Sequence, residues 1–412
     1  MHYLPLCFSF KEHADGKTLK NYNLQEKDSV SERNMSANKN KTLVVSSFDI
    51  QEILRRFGVD WIMMTLIERL KTAINNYNPQ KISIPVRSGF HYEKPEPGLI
   101  EWMPLYNQDD QGRKVLIKVV GYHPSNPGKF NLPTIVSTIS EYDTNSGHLC
   151  ALMDGVLATA IRTGATSAVA SKLMAKPTSS ILGLIGCGTQ AVTQLHAISL
   201  CFKIERVLFY DIDPNTSASF EKRCSAFNLD IDFVGTNIEE IVKYSDILCT
   251  ATSIDIGAGP LFSNIETKPH VHINAVGSDF PGKIEIPFEL LQKCFICPDF
   301  IEQAMVEGEC QQLERKDIGA GLVEVVQNWD KYTYLQNERS VFDSTGWALE
   351  DKVVMDLFLD CASELGLGQE LEIEHKPSDT KNPYDFLKAE NVRIGNTDSH
   401  IKKAVSLLSA QG

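Results

Sequence analysis

The stretch Ile181-Leu-Gly-Leu-Ile-Gly-Cys-Gly-Thr-Gln-Ala191 decides how the chain is read. Ile181 to Ile185 is a short apolar run of the kind that forms a buried strand. Gly186, Gly188 and Ala191 follow, and a helical pattern then opens at Val192, Leu195 and Ile198. That order is the G-x-G-x-x-G/A turn of a dinucleotide-binding βαβ unit. Gly186 permits the tight turn, Gly188 lets backbone N–H groups approach a pyrophosphate, and Ala191 lets helix and strand pack closely. Thr189 and Gln190 stand at the start of the helix, whose N-terminal partial charge favours phosphate. A second strand, Arg206 to Tyr210, ends in Asp211, and 211 − 188 = 23 residues is close to the ~20 expected of an acidic ribose ligand. A glycine turn that merely joins strand to helix is the plain alternative. Strand, turn, helix, strand and acid in succession favour a nucleotide, and Asp211 favours NAD.

Outward from this unit, strands are expected at 206–210, 231–234, 246–251, 271–276, 294–297 and 340–343, with helices between most of them. Alternation of that kind builds a doubly wound parallel sheet. Upstream, Leu43–Val45 reads as a strand. Ser46 or Ser47 then caps one long helical pattern from Ile50 to Ile74. Strand-like pieces follow at 81–86, 98–103, 114–121, 134–142 and 148–153, the last two flanking a hairpin loop at Asp143–Gly147. Sequential strands with short links imply a largely antiparallel sheet. A helix from Val156 to Met174 leads into Ile181, and another over Leu349–Phe358 leaves the nucleotide unit to pack back on the first sheet. The predicted fold class is therefore α/β, a Rossmann-type doubly wound parallel sheet plus a discontinuous α+β part. Residues 11–41 are polar and without period, which reads as a mobile tail. A short amphipathic helix is expected at Ile401–Leu408.

Composition narrows the partners. A net charge of −13 over 412 residues disfavours nucleic acid and anionic membrane surfaces, which require a basic face. No apolar run approaches the ~20 residues of a membrane span. The ten cysteines are scattered, and the one CxxC, Cys294–Cys297, lies in an apolar run without a second pair. That pattern suits free thiols in a reducing, cytoplasmic setting. His123 and His272 lack partners at metal-ligand spacing, so no metal is expected.

Several stretches together resemble the ornithine cyclodeaminase/μ-crystallin family. They are Leu99–Pro104, Ile117-Lys118, Ile161–Ser167, Ile185–Ala191, His272–Lys283, Glu307–Gln312 and Phe342–Gly346. The resemblance spans about residues 43–390. The mobile tail, 1–41, lies outside it; the resemblance implies a substrate-binding and dimerisation domain beginning at 42–160, a Rossmann NAD-binding domain at 161–344, and a return of 345–412 to the first. It also implies a homodimer whose twin sheets close a barrel-like structure, and an amino-acid substrate, L-ornithine, converted to L-proline and ammonia. Relatives acting on lysine, alanine or cyclic ketimines, and non-catalytic binders, share the scaffold.

The same resemblance assigns the site. Asp279 is the catalytic carboxylate and Lys283 tunes it or touches substrate; read from residues alone, the two could form a surface pair on a Pro-Gly turn. Arg87 and Lys118 clamp the α-carboxylate. Lys118 interrupts the apolar run Val115–Val120, and a buried ammonium demands an anion, although an edge-strand lysine is the alternative. Glu101 lines the substrate amines. Arg162 and Thr134 match positions at the cofactor's phosphates and nicotinamide, although Arg162 could be a surface helix residue. Thr250, Thr252 and Val276 end strands beside the cofactor channel. Ser344 matches a position near the nicotinamide, or else caps the next helix.

Overall fold

The computed structural model describes residues 41–109, 112–227, 229–263 and 265–385. The expected tail up to residue 40 and the helix expected at Ile401–Leu408 lie outside them. Two units are distinguished, Met1–Leu371 and Glu372–Gly412. In the second, Asp385 accepts from the Ser378 backbone and hydroxyl at 2.6 and 2.5 Å.

The first unit opens with β1 (Thr42–Val45), α1 (Ser47–Phe57) and α2 (Val59–Asn75). The single long helix expected here is broken at Gly58, whose φ of 87° leaves helical space while its N–H still bonds the Leu54 carbonyl. Ser46 and Asp49 form a reciprocal capping box at the start of α1. Then come β2 (Ile82–Ser83), β3 (Ser88–Tyr92), β4 (Gly98–Asp109), β5 (Gly112–Tyr122), β6 (Ile135–Asp143) and β7 (Leu149–Asp154). The strand expected at 81–86 shrinks to β2, and β4 runs past Pro104 to Asp109. β3 was not foreseen. Its Gly89 is required because a Cβ there would stand 2.3 Å from the Ile100 carbonyl of the neighbouring strand.

Next is α3 (Val156–Met174), as expected. The nucleotide unit follows as β8 (Ile181–Ile185), α4 (Thr189–Cys201), β9 (Arg206–Tyr210), β10 (Asp232–Gly235), β11 (Ile247–Thr250), β12 (His272–Ala275), β13 (Phe295–Pro298) and β14 (Ser340–Asp343). Short helical turns link most of these strands. α5 (Ala348–Leu365) and β15 (Gln369–Leu371) complete the unit.

Among the described residues there are two sheets. One runs β15-β1-β7-β6-β5-β4-β2 with β3 beside β4, antiparallel except where β1 meets β7. The other is wholly parallel, β10-β9-β8-β11-β12-β14-β13. Both faces of the parallel sheet are buried, in clusters built on Ile185, Ile273 and Val341 and on Leu184, Val207 and Ile247. That is why its strands read as continuous apolar runs. The antiparallel sheet instead alternates. Met103, Leu105, Leu116 and Val120 point into a core shared with α1, α2, α3 and α5. α3 sits against α4 closely enough that a Cβ on Gly164 would lie 2.5 Å from the Thr193 carbonyl. No helix among the described residues is long and apolar enough to cross a membrane.

Candidate active site

The glycine turn has the geometry that its sequence demands. Gly186 has φ 89°, and a Cβ there would come within 2.5 Å of the Ala251 carbonyl. Gly188 caps α4, and a Cβ there would meet nothing within 4 Å, so the space above the turn is open. Ala191 is buried against the strands, and Thr189 is exposed. Asp211 braces the turn, its Oδ2 accepting from the Cys187 N–H at 2.7 Å and its Oδ1 from the Asp213 N–H at 2.9 Å. Further along the carboxyl edge, Thr250 and Val276 are buried. Ser344 is buried too, and its Oγ has no partner. It does not cap α5, whose N-cap is Trp347 with no side-chain bond. Thr252 departs from expectation: its hydroxyl is not free to line a channel but donates to Glu285 Oε1 at 2.7 Å. Thr134 lies half-buried before β6, its carbonyl accepting from the His123 N–H at 2.8 Å.

Beyond β12 the chain turns through Gly277-Ser-Asp-Phe-Pro-Gly-Lys283. Lys283 Nζ stands 3.1 Å from Asp279 Oδ1 and 4.5 Å from the centroid of the Tyr122 ring. Burial pulls the lysine pKa down, but Asp279 and Tyr122 outweigh it and hold it above its ordinary value. Asp279 is 37% exposed at its side chain and so remains reachable from the cleft. Phe280 packs on His91 from β3 at 4.8 Å between centroids, and His91 Nε2 lies 3.4 Å from Glu101. The turn is tied down by Glu307-Gly-Glu-Cys-Gln-Gln312, whose role the sequence did not reveal. Gln311 accepts from the Gly282 N–H and donates to the Lys283 carbonyl, at 2.7 and 2.9 Å. The Glu309 carboxylate accepts from the N–H groups of Glu285 and Ile286. Asp343, at the end of β14, in turn accepts from the N–H groups of Glu309 and Cys310 at 2.9 and 2.8 Å.

Because side chains alternate along a strand, Glu101 on β4 and Lys118 on β5 point to the same interior as Met103 and Val120. There they meet two further cations, Arg87 and Arg162, and the counter-ions of the group. Arg87, between β2 and β3, donates from Nη2 to the carbonyls of Thr345 and Gly346. Its Nη2 also lies 3.0 Å from Glu307 and its Nη1 3.8 Å from Glu101. Its Nε is buried without a partner. Lys118 is 1% exposed and bonds Asp351 of α5 at 2.8 Å, so the anion its burial required is supplied by the protein itself. Desolvation lowers Lys118 to about 8 in spite of Asp351, with Arg162 and Arg87 adding to the fall. Arg162 is no surface residue. It is buried, pairs with Glu350 at 2.5 Å and Asp351 at 3.4 Å, and joins the Arg87–Lys118 group. Burial raises Glu101, and it drives Glu307 up to about 8 despite Arg87.

The description "Ornithine cyclodeaminase/mu-crystallin family" matches residues 51–365. The chain belongs to that family. The L-lysine cyclodeaminase of Streptomyces rapamycinicus is 39% identical over 347 residues, covering 84% of this chain and all of the relative. A solved lysine cyclodeaminase, described by its recognition of L-lysine, L-ornithine and L-2,4-diaminobutyric acid, is 42% identical with a TM-score of 0.80. It covers 84% of this chain and 99% of its own. A solved archaeal alanine dehydrogenase dimer with bound NAD is 28% identical with a TM-score of 0.70, over 81% of this chain and 100% of its own. Lysine cyclodeaminases and an alanine dehydrogenase therefore share this scaffold.

Proposed function

We propose that the chain is an NAD-dependent cyclodeaminase of L-α,ω-diamino acids, closing L-ornithine to L-proline or L-lysine to its six-membered counterpart with release of ammonia. The resemblance carried by the sequence motifs implies ornithine. The similarity to a lysine cyclodeaminase puts lysine beside it. One observation carries the proposal. The carboxyl edge of the parallel sheet carries a glycine turn that is open above Gly188 and, at the segments that follow β12 and β14, meets an arginine whose Nε lacks a partner together with three carboxylates, Glu101, Asp279 and Glu307. A diamino acid brings one carboxylate and two ammonium groups, which is the complementary charge pattern.

The residues fit NAD. Gly188 leaves room for phosphate, Asp211 stands where a ribose diol would bond, and the orphaned Ser344 Oγ faces a need for a polar partner. When bound, the nicotinamide supplies the oxidant for Cα and the reductant for the cyclic imine. Arg87 fixes the α-carboxylate, with Lys118 and Arg162 adding positive charge behind it. Asp279 takes a proton from a substrate amine, because an ammonium has no lone pair with which to attack or to assist hydride loss. Lys283 holds the Asp279 carboxylate in place through their 3.1 Å contact. We further propose a homodimer: Ile100, Trp102, Tyr106, Val115, Ile117 and Val119 make an outward apolar sheet face, and Ile100 and Val119 are 42% and 40% exposed. A second copy of that face is self-complementary about a twofold axis.

The test is to incubate the protein with catalytic NAD⁺ and, separately, L-ornithine, L-lysine, L-2,4-diaminobutyrate and L-alanine, and to weigh the products. A cyclic amino acid and ammonia formed one to one, without accumulating NADH, is the expected result. Oxidation of alanine with stoichiometric NADH would assign a dehydrogenase instead.

A further inference from the structure

Arg87 has five N–H donors in a rigid fork, and their use leaves a gap. The carbonyls of Thr345 and Gly346 occupy both hydrogens of Nη2. Glu307 Oε1 is therefore at ion-pair distance, 3.0 Å from that nitrogen, yet accepts no hydrogen bond. Its side chain is 3% exposed. A buried carboxylate oxygen without a donor costs free energy, and here it lies beside the equally unpartnered Arg87 Nε. Gln303 bonds the Glu307 side chain, so the free acceptor is its Oε1 alone, whereas Glu101 stands 3.4 Å from His91 and Asp279 3.1 Å from Lys283.

In an α-amino acid the carboxylate and the amine share one carbon. A group that receives the amine must therefore adjoin the group that receives the carboxylate. Glu307, at 3.0 Å from Arg87 against 3.8 Å for Glu101, is the closer acid. We propose that Glu307 binds the α-ammonium of the substrate, takes its proton, and returns that proton to the same nitrogen as it departs as ammonia. This rests on the cyclodeaminase reading above and divides its two amines between two acids.

The account closes. The α-ammonium gives one proton to the Glu307 carboxylate, and the freed lone pair forms the C=N bond as hydride passes from Cα to NAD⁺. The ω-amine, deprotonated by Asp279, bonds to that carbon, and the C=N pair returns to the α-nitrogen. Glu307 then protonates this nitrogen, its bond to carbon breaks, and ammonia leaves as the ring nitrogen forms its own C=N bond. The ring nitrogen sheds its surplus protons through Asp279 to solvent, one coming back when hydride return yields the product amine. Burial raises the affinity of Glu307 for a proton, opposed by Arg87 and helped by Asp279 and Glu101, which suits a group that must hold one between two steps.

The experiment compares Glu307→Gln with the parent in two reactions. Cyclodeamination of ornithine or lysine needs both proton transfers and should fall ~10²–10⁴-fold. Reduction of the preformed cyclic imine by NADH needs neither and should stay within a few-fold. Binding gives a second readout. With NADH present, the parent should prefer L-norvaline to pentanoate, and the variant should lose that preference. Equal loss of both reactions would mean that Glu307 only props Arg87, and undiminished cyclodeamination would mean that another base acts; either overturns the proposal. If the parent itself converts no diamino acid and reduces no imine, the cyclodeaminase reading fails first and this inference with it.

Discussion

Asp279 and Lys118 are both charged residues with a counter-ion at about 3 Å, and the similarity ends there. The Asp279 side chain is 37% exposed, so its partner leaves it open to a ligand. Asp279→Asn should fold and bind NAD yet lose ~10²-fold or more in turnover, because an amide cannot take a proton. Steady-state rates beside a cofactor titration check this, and a variant with half its activity would move the proton transfer elsewhere. Lys118 is sealed against Asp351. Without the ammonium Asp351 keeps only its 3.4 Å contact with Arg162, so Lys118→Met should destabilise the fold by up to ~3–5 kcal/mol in denaturant unfolding. The lysine's need for an anion was legible in Val115–Val120. The identity of the anion was not, because Asp351 is 233 residues away and α5 had to pack before the two could meet.

The elements show the same division between local and distant information. Glycine turn, α3 and β14 were readable because period, cap and apolar run agree within a dozen residues. Gly58 was passed over since a single glycine inside a helical pattern is common, and only its positive φ marks the break. The Glu307–Gln312 strap resisted reading for another reason: its carboxylates and amides hold backbone N–H and C=O groups of residues 282–286, and no sequence period records that. Asp343 anchors the strap, and burial, in spite of hydrogen bonds from Glu309 and Cys310, lifts its carboxyl to about 7. Between an unfolded value of ~3.9 and about 7, the folded chain keeps a proton that the unfolded chain has lost. Its contribution to stability therefore falls as pH rises, by up to ~1.4 kcal/mol per unit, and levels off above that window. Asp343→Asn removes this slope. The unfolding free energy lost between pH 5 and 7.5 should be smaller in the variant than in the parent, and equal losses would contradict the assignment.

For the whole molecule, the expected result is a closed cycle in a dimer that uses NAD(H). The acid at Asp211 repels a 2′-phosphate, so NADH should bind more tightly than NADPH in a fluorescence titration. Ornithine deuterated at Cα should yield proline still carrying the label at Cα, because one bound cofactor makes both transfers. Val119→Glu, in the middle of the outward apolar face, should halve the mass seen by analytical ultracentrifugation, and a mass unchanged at micromolar concentration would place the interface elsewhere. One last feature reaches beyond catalysis. β1 lies between β7 and β15, with Thr42 paired to Leu371, so the start and the finish of the folded unit are neighbours on adjacent strands. That makes the unit a ring in all but one bond: a short linker joining Thr42 to Leu371, with the chain reopened at the exposed loop Asp143–Gly147, should give a circular permutant that folds, since no strand pairing is cut and no segment has to find a new partner.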